Sequence, residues 1–221
     1  MGGRGPDAAT ITSAIAQAGL QSVQIRGADM VNAIEVDPLA AVGAFVKDLN
    51  YDTAAAGLPL VKIQSSVRLN GPVIGTGDFF SANLGARSED GAVELSISSD
   101  GMIYGYSFVE ETLIYSAPIT LNAWHTLAIT MDFTAKTYTF SFDGTSSSAF
   151  AFNAGFTSNV LLHEAVVTYA YPDTATNHRS DFTAYYDNVS ATASVPEPAS
   201  AVLLPLGGVP LLGFRRRQAA R

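Results

Sequence analysis

The chain contains no cysteine in 221 residues, which removes disulfides, thiolate metal sites and a cysteine nucleophile from consideration. Charge is scarce. Only 14% of residues are charged, and 12 basic residues face 20 acidic ones, for a net charge of −8 at pH 7 and a pI near 4.7. A surface of that sign repels phosphate, so nucleic acid is excluded as a partner. Tryptophan occurs once, at Trp124. No Gly-x-Ser-x-Gly elbow marks a serine hydrolase. The opening, MGGRGPDAATITSAIAQAGL, lacks the charged n-region and the apolar stretch of about 7–15 residues that make a secretory leader.

What is present points to strands. Apolar residues make up 48% of the chain, enough for the core of a single domain. With abundant Ser, Thr, Gly and Ala, this composition suits a secreted β-protein better than a disordered chain or a cytosolic enzyme. Ser22–Arg26 alternates, and so does part of Leu60–Leu69. Val93, Leu95 and Ile97 alternate with Glu94, Ser96 and Ser98, before the turn signal Ser99-Asp100-Gly101. Further strands are expected at Ile103–Phe108, Thr112–Ile119, Trp124–Phe133, Thr137–Phe142, Val160–Tyr171 and Phe182–Thr192. Many short strands separated by turn signals indicate an all-β antiparallel sandwich or barrel. Asp37-Pro38, followed by Val42, Phe45, Val46 and Leu49, predicts a short helix over 38–49.

The run Trp124-His125-Thr126-Leu127, a polar turn, then Tyr138 to Gly144 resembles the central hairpin of jelly rolls of the LamG and concanavalin A-like kind. Tyr185-Tyr186-Asp187-Asn188-Val189-Ser190 is similar to the closing strand of such sandwiches. The resemblance implies a β-sandwich over 58–193, with residues 1–57 supplying its first strand or strands and the short helix. It also implies loop-bound calcium, for which Asp187 and Asn188 are the candidate ligands, carboxylate and carbonyl oxygens suiting a hard cation. Fold does not fix function, since jelly rolls host lectins, hydrolases and structural modules alike.

A retaining glycosidase needs two carboxylates about 5–5.5 Å apart across the sugar. No strand here carries an alternating acid pair: Glu89 and Asp90 are adjacent, Glu94 shares its face with Ser96 and Ser98, and Asp132 shares its face with Thr130 and Ala128. His125 reads as structural, and His163, Glu164, His178 and Asp181 match no metal-ligand spacing. Sugar binding needs exposed aromatic faces with polar neighbours, and Tyr104, Tyr106 and Trp124 are the candidates.

The C-terminal residues carry the most specific motif. Val195 leads into Pro196-Glu197-Pro198, then 16 uncharged residues (199–214), then Arg215, Arg216 and Arg217. The apolar run suits a membrane and the arginines stay on the cytoplasmic side. This order closely resembles the PEP-CTERM sorting signal. It implies a transmembrane helix at 199–214 within a sorting segment at 194–221, an exosortase as partner, and processing near the triplet. Loss of the four tail arginines would leave eight basic residues against 20 acidic ones, a net −12. An export leader is accordingly expected upstream of Met1. The expected function is that of an exported cell-surface or extracellular-matrix protein, non-enzymatic, with exopolysaccharide as candidate ligand. The alternatives are a jelly-roll glycoside hydrolase or lyase and a purely structural matrix protein.

Overall fold

A computed structural model describes residues 3–4, 9–12, Ile15, Gln17, 22–26, 42–74, 80–88, 91–107, 112–152, 161–170 and 181–195. Strands are numbered in chain order. One sheet has seven of them, in spatial order β1 (Gly3–Arg4), β4 (Val42–Asp52), β14 (Leu161–Ala170), β6 (Ser81–Ser88), β7 (Gly91–Ser98), β8 (Met102–Ser107) and β9 (Thr112–Pro118). The other runs β12 (Thr145–Ser146), β11 (Thr137–Phe142), β10 (His125–Asp132), β5 (Leu60–Asn70), β15 (Thr183–Ser194), β3 (Ser22–Arg26) and β2 (Ala9–Thr12), with β13 (Phe150–Ala151) also paired to β11. Every pairing in both sheets is antiparallel. The chain changes sheet after β1, β3, β4, β5, β9, β13 and β14, so sequence neighbours close the sandwich from both sides.

Alternation sets the inner faces. Val61, Ile63, Val67 and Leu69 of β5 are buried, and Leu127, Ile129 and Met131 of β10 lie beside them. They meet Leu84 of β6, Val93, Leu95 and Ile97 of β7 and Ile103 of β8. Aromatic contacts fill the ends: Phe80 stacks on Phe182 with ring centroids 4.5 Å apart, and Tyr138 meets Phe140 edge-on at 5.5 Å.

Local turn chemistry agrees with this pairing. Asp143 (φ 46°) and Gly144 (φ 80°) form a two-residue connection between Phe142 and Thr145, which pair. Positive φ at both positions is the hairpin turn whose twist matches the strands. Asp143 Oδ1 accepts from Thr126 N–H at 2.8 Å, and its Oδ2 lies 2.6 Å from His125 Nδ1. His125 Nε2 lies 2.7 Å from the Thr120 carbonyl, so the imidazole joins the β11–β12 turn to the β9–β10 connection, a structural role.

The expected helix over 38–49 is not formed. Residues 42–52 are β4, and a short helix, α1 (Thr53–Ala56), starts after Asp52, whose side chain accepts from Ala54 N–H and Ala55 N–H. β4 is paired on both sides, to β1 and β14. Ladder bonds with distant segments outweigh a helical spacing read over one turn or two, and Val42, Phe45 and Val46 carry strand propensity. Asp37-Pro38 lies outside the described residues. The expected strand Phe182–Thr192 is β15, which runs on to Ser194: Ser190, Ala191 and Thr192 pair with Gln64, Ile63 and Lys62. Among the described residues no helix is long and apolar enough to cross a membrane. The triplet Pro196-Glu197-Pro198, the 199–214 run and Arg215, Arg216 and Arg217 lie outside the described residues.

Gly105 tests the packing. A Cβ there would stand 2.4 Å from Phe140 Cε2, and Phe140 is 1% exposed. Gly105→Ala is expected to lower stability by about 1–3 kcal/mol, read as the urea midpoint. Adding Phe140→Leu should recover part of that loss in a double-mutant cycle. Purely additive costs would contradict the contact.

Candidate functional site

On the seven-stranded sheet the residues that alternate with the core form an outward face. Asn83 of β6 stands opposite Ser96 of β7, Ser96 opposite Tyr104 of β8, and Tyr104 opposite Ser116 of β9. The next row holds Gly85, Glu94, Tyr106 and Leu113. Between Gly105 and Tyr106 the β8–β9 register shifts, so Tyr106 and Leu113 come together where regular pairing would have set Ile114. Tyr104 and Tyr106 are half-buried, whereas Asn83 (3% exposed) and Ser96 (8%) are buried although they face away from the core. The small polar residues are thus a floor beside the two tyrosines. Ser98, further along that face, has a buried hydroxyl with no hydrogen-bond partner among the described residues.

Turn geometry supplies the acid next to Tyr104. Gly101 (φ 79°) donates its N–H to the Ser98 carbonyl at 3.1 Å and closes the β7–β8 turn. Asp100 Oδ1 accepts from Met102 N–H at 3.1 Å, and Oδ2 accepts from the Tyr104 hydroxyl at 2.5 Å. That hydrogen bond, helped by partial burial and by the negative charge of Asp100, pushes the phenol up to about 12. Tyr104 therefore stays protonated at neutral pH and offers a ring face and a hydroxyl, without phenolate character. Glu94 Oε1 accepts from Ser96 Oγ at 2.9 Å, so this carboxylate is oriented along the floor.

The structure separates the three candidate aromatics. Tyr104 and Tyr106 share the face just described. Trp124 precedes β10 in the other sheet, half-buried and outside the core cluster. Asp187 and Asn188 lie at a register shift in β15, Asn188 with φ 53°. The Asp187 carboxylate accepts from Gln17 N–H at 3.0 Å and from Asn188 N–H at 2.7 Å. Among the described residues no three acids or histidines stand close enough together to hold a metal ion. Val195 follows β15 and is exposed. Glu89, Asp90, Glu110, Glu111 and His178 lie outside the described residues. Sequence reasoning passed over Asn83, because it sits in a short run of small and apolar residues, and Asp100, because it reads as turn chemistry alone.

No protein-family model matches the chain, and no curated protein does. Solved structures share its fold. The cellulose induced protein Cip1 superposes with a TM-score of 0.53 at 11% identity, over 88% of this chain and 91% of that one. The carbohydrate recognition domain of Emp46p, in its potassium-bound form, gives 0.52 at 10% identity, over 70% and 79%. The binding domain of botulinum neurotoxin serotype D gives 0.54 at 7% identity, over 89% of this chain but 43% of that one. At such identities the likeness concerns the fold, an antiparallel β-sandwich of the jelly-roll type.

The Tyr104–Asp100 bond has a pH signature. The raised folded-state value means its stabilisation is fully present below about pH 10, the unfolded value, and is lost as pH rises through about 12. In an absorbance titration at 295 nm, the difference between wild type and Tyr104→Phe should show one phenol ionising near 12. Asp100→Ala should bring that phenol back toward 10. A difference curve centred at 10 in the unsubstituted protein would refute the bond.

Proposed function

We propose that the protein is an exported cell-surface or extracellular-matrix domain that binds polysaccharide, without cleaving it, on the outward face of the seven-stranded sheet. One observation carries the reading: Tyr104 and Tyr106, with Glu94, Ser96 and Asn83, form a face in which aromatic rings border a polar floor. Tyrosine rings stack on the C–H faces of sugars, and carboxylate, amide and hydroxyl groups beside them hydrogen-bond the sugar hydroxyls. The Emp46p domain, which shares the fold, is by its name a carbohydrate recognition domain. The chemistry of the face favours binding over turnover. Glu94 has a serine where an acid pair would need its partner. The alternative is a lyase or hydrolase, and product formation decides it.

The reading predicts that the intact protein retards on native gels containing a bacterial exopolysaccharide, and that Tyr106→Ala weakens the interaction at least about tenfold while the melting temperature holds. Unchanged retardation in Tyr106→Ala would remove the face from the function. New reducing ends or 4,5-unsaturated sugars on incubation with the polymer would replace the binding reading with the enzymatic one.

Export and exosortase handling rest on the motif at Pro196-Glu197-Pro198 with Arg215, Arg216 and Arg217. In a host that makes an exosortase, mass spectrometry of the mature protein should find the basic tail removed. Pro196→Ala with Pro198→Ala should leave it attached and the protein in the membrane fraction. Identical C-termini in both would dismiss the sorting role.

A further inference from the structure

We infer a second ligand site, on the outward face of the eight-stranded sheet, for a sugar residue that carries a carboxylate. Along β5, Gln64, Ser66 and Arg68 alternate with the core residues Ile63, Val67 and Leu69, so Arg68 faces outward. Arg68 stands opposite Tyr185 of β15, and Tyr185 opposite Gln24 of β3. On the other side His125, the first residue of β10, pairs with Val67, and continuing that register by one residue would set Trp124 beside Arg68. Trp124 is half-buried and Tyr185 is buried (7% exposed), and neither belongs to the core cluster. A glutamine, a tyrosine and an arginine therefore form one row across β3, β15 and β5, and the only tryptophan lies at the end of that row, just before β10.

The arginine is available. Its Nε donates to Asn70 Oδ1 at 2.6 Å, and among the described residues no carboxylate pairs with the guanidinium. The diagonal acid, Asp187, accepts backbone N–H groups instead. Gln24 Nε2 donates to Tyr185 Oη at 3.0 Å, which fixes the phenol and leaves its proton to point elsewhere. A guanidinium with free Nη groups matches a carboxylate in bidentate geometry, and an indole face beside it matches a pyranose ring.

Charge narrows the ligand. A protein of net −8 repels a polyanion over most of its surface. Among the described side chains the cations are Lys62, Arg68 and Lys136, all in the eight-stranded sheet or its β10–β11 turn. That sheet and its turns also carry Asp132, Asp143 and Asp187, whereas Glu94 and Asp100 are the charges beside Tyr104 and Tyr106. A uronate is thus admitted beside Arg68 and disfavoured beside Tyr104. This inference stands apart from the reading of the Tyr104–Tyr106 face.

The lone tryptophan makes it testable in the full chain. Titration with hexagalacturonate at about 0.15 M salt should give a saturable change in tryptophan emission, and neutral maltohexaose should not. Arg68→Gln should weaken the response at least about tenfold, and Arg68→Lys, which keeps the charge and loses the fork, should fall between. Tyr106→Ala should leave it unchanged. If Arg68→Gln fails to fold by its melt, Trp124→Ala read by calorimetry takes its place, with the same loss expected. No emission change up to millimolar hexagalacturonate would overturn the proposal. So would equal losses in Arg68→Gln and Tyr106→Ala, or an equal response to maltohexaose.

Discussion

The phenol of Tyr186 is the contact on which the geometry of both faces depends. It lies fully buried between the sheets, and its oxygen accepts the N–H of Asn83 at 3.1 Å. A buried hydroxyl left without a partner costs about 1–3 kcal/mol, so this bond fixes the height of β15 against β6 more sharply than apolar packing can. Asn83 belongs to the outward row that runs through Ser96 and Tyr104 to Ser116. One residue before Tyr186, Tyr185 points the other way and belongs to the row of Arg68 and Trp124. Successive residues of one strand thus serve the core and the outer surface, as the period of two requires.

Packing around this contact leaves little freedom. Phe182, two residues before Ala184 on the core side, stacks on Phe80 and also covers Gly71, where a Cβ would come within 2.2 Å of the ring. Gly105 meets Phe140 in the same way on the other side of the core. Both glycines sit where the backbone must approach an aromatic ring closely. Since Gly105 lies between Tyr104 and Tyr106, the clearance for Phe140 also sets the height of the two tyrosines, whose rings project from its two flanks.

Much of the fold was legible because its signals are local. Alternation of Val93, Leu95 and Ile97 with Glu94, Ser96 and Ser98 gave the right inward face, and the Asp-Gly at 100–101 marked a real turn. The region 42–49 misled because its apolar spacing fits one turn of helix as well as a strand, and only the partners β1 and β14 decide between them. Site residues were less legible. Tyr104 and Tyr106 alternate with Ile103 and Gly105, a pattern that does not say which side is core when one side offers only a glycine. Asn83 and Ser96 were hidden because neighbours within one row come from different strands.

The row through Trp124, Arg68, Tyr185 and Gln24 is the extreme case. Its members lie far apart in the sequence and meet only because β5 sits between β10 and β15. No short-range signal links them, and each alone is ordinary: a tryptophan before a strand, an arginine on an outer face, a tyrosine beside a core tyrosine. What sets the group apart is the scarcity of cations among the described side chains, where Arg68 is one of three. In an acidic protein an outward arginine would be expected to find a carboxylate, and the described acid within diagonal reach, Asp187, accepts backbone amides. That leaves a cation beside an indole on the outward face of the eight-stranded sheet. Such a surface discriminates by charge, whereas the tyrosine face, which carries Glu94 and Asp100, discriminates against the same charge. A matrix polymer containing both neutral and acidic sugars would meet complementary chemistry on the two sides of one sandwich, and binding on both sides would cross-link its chains.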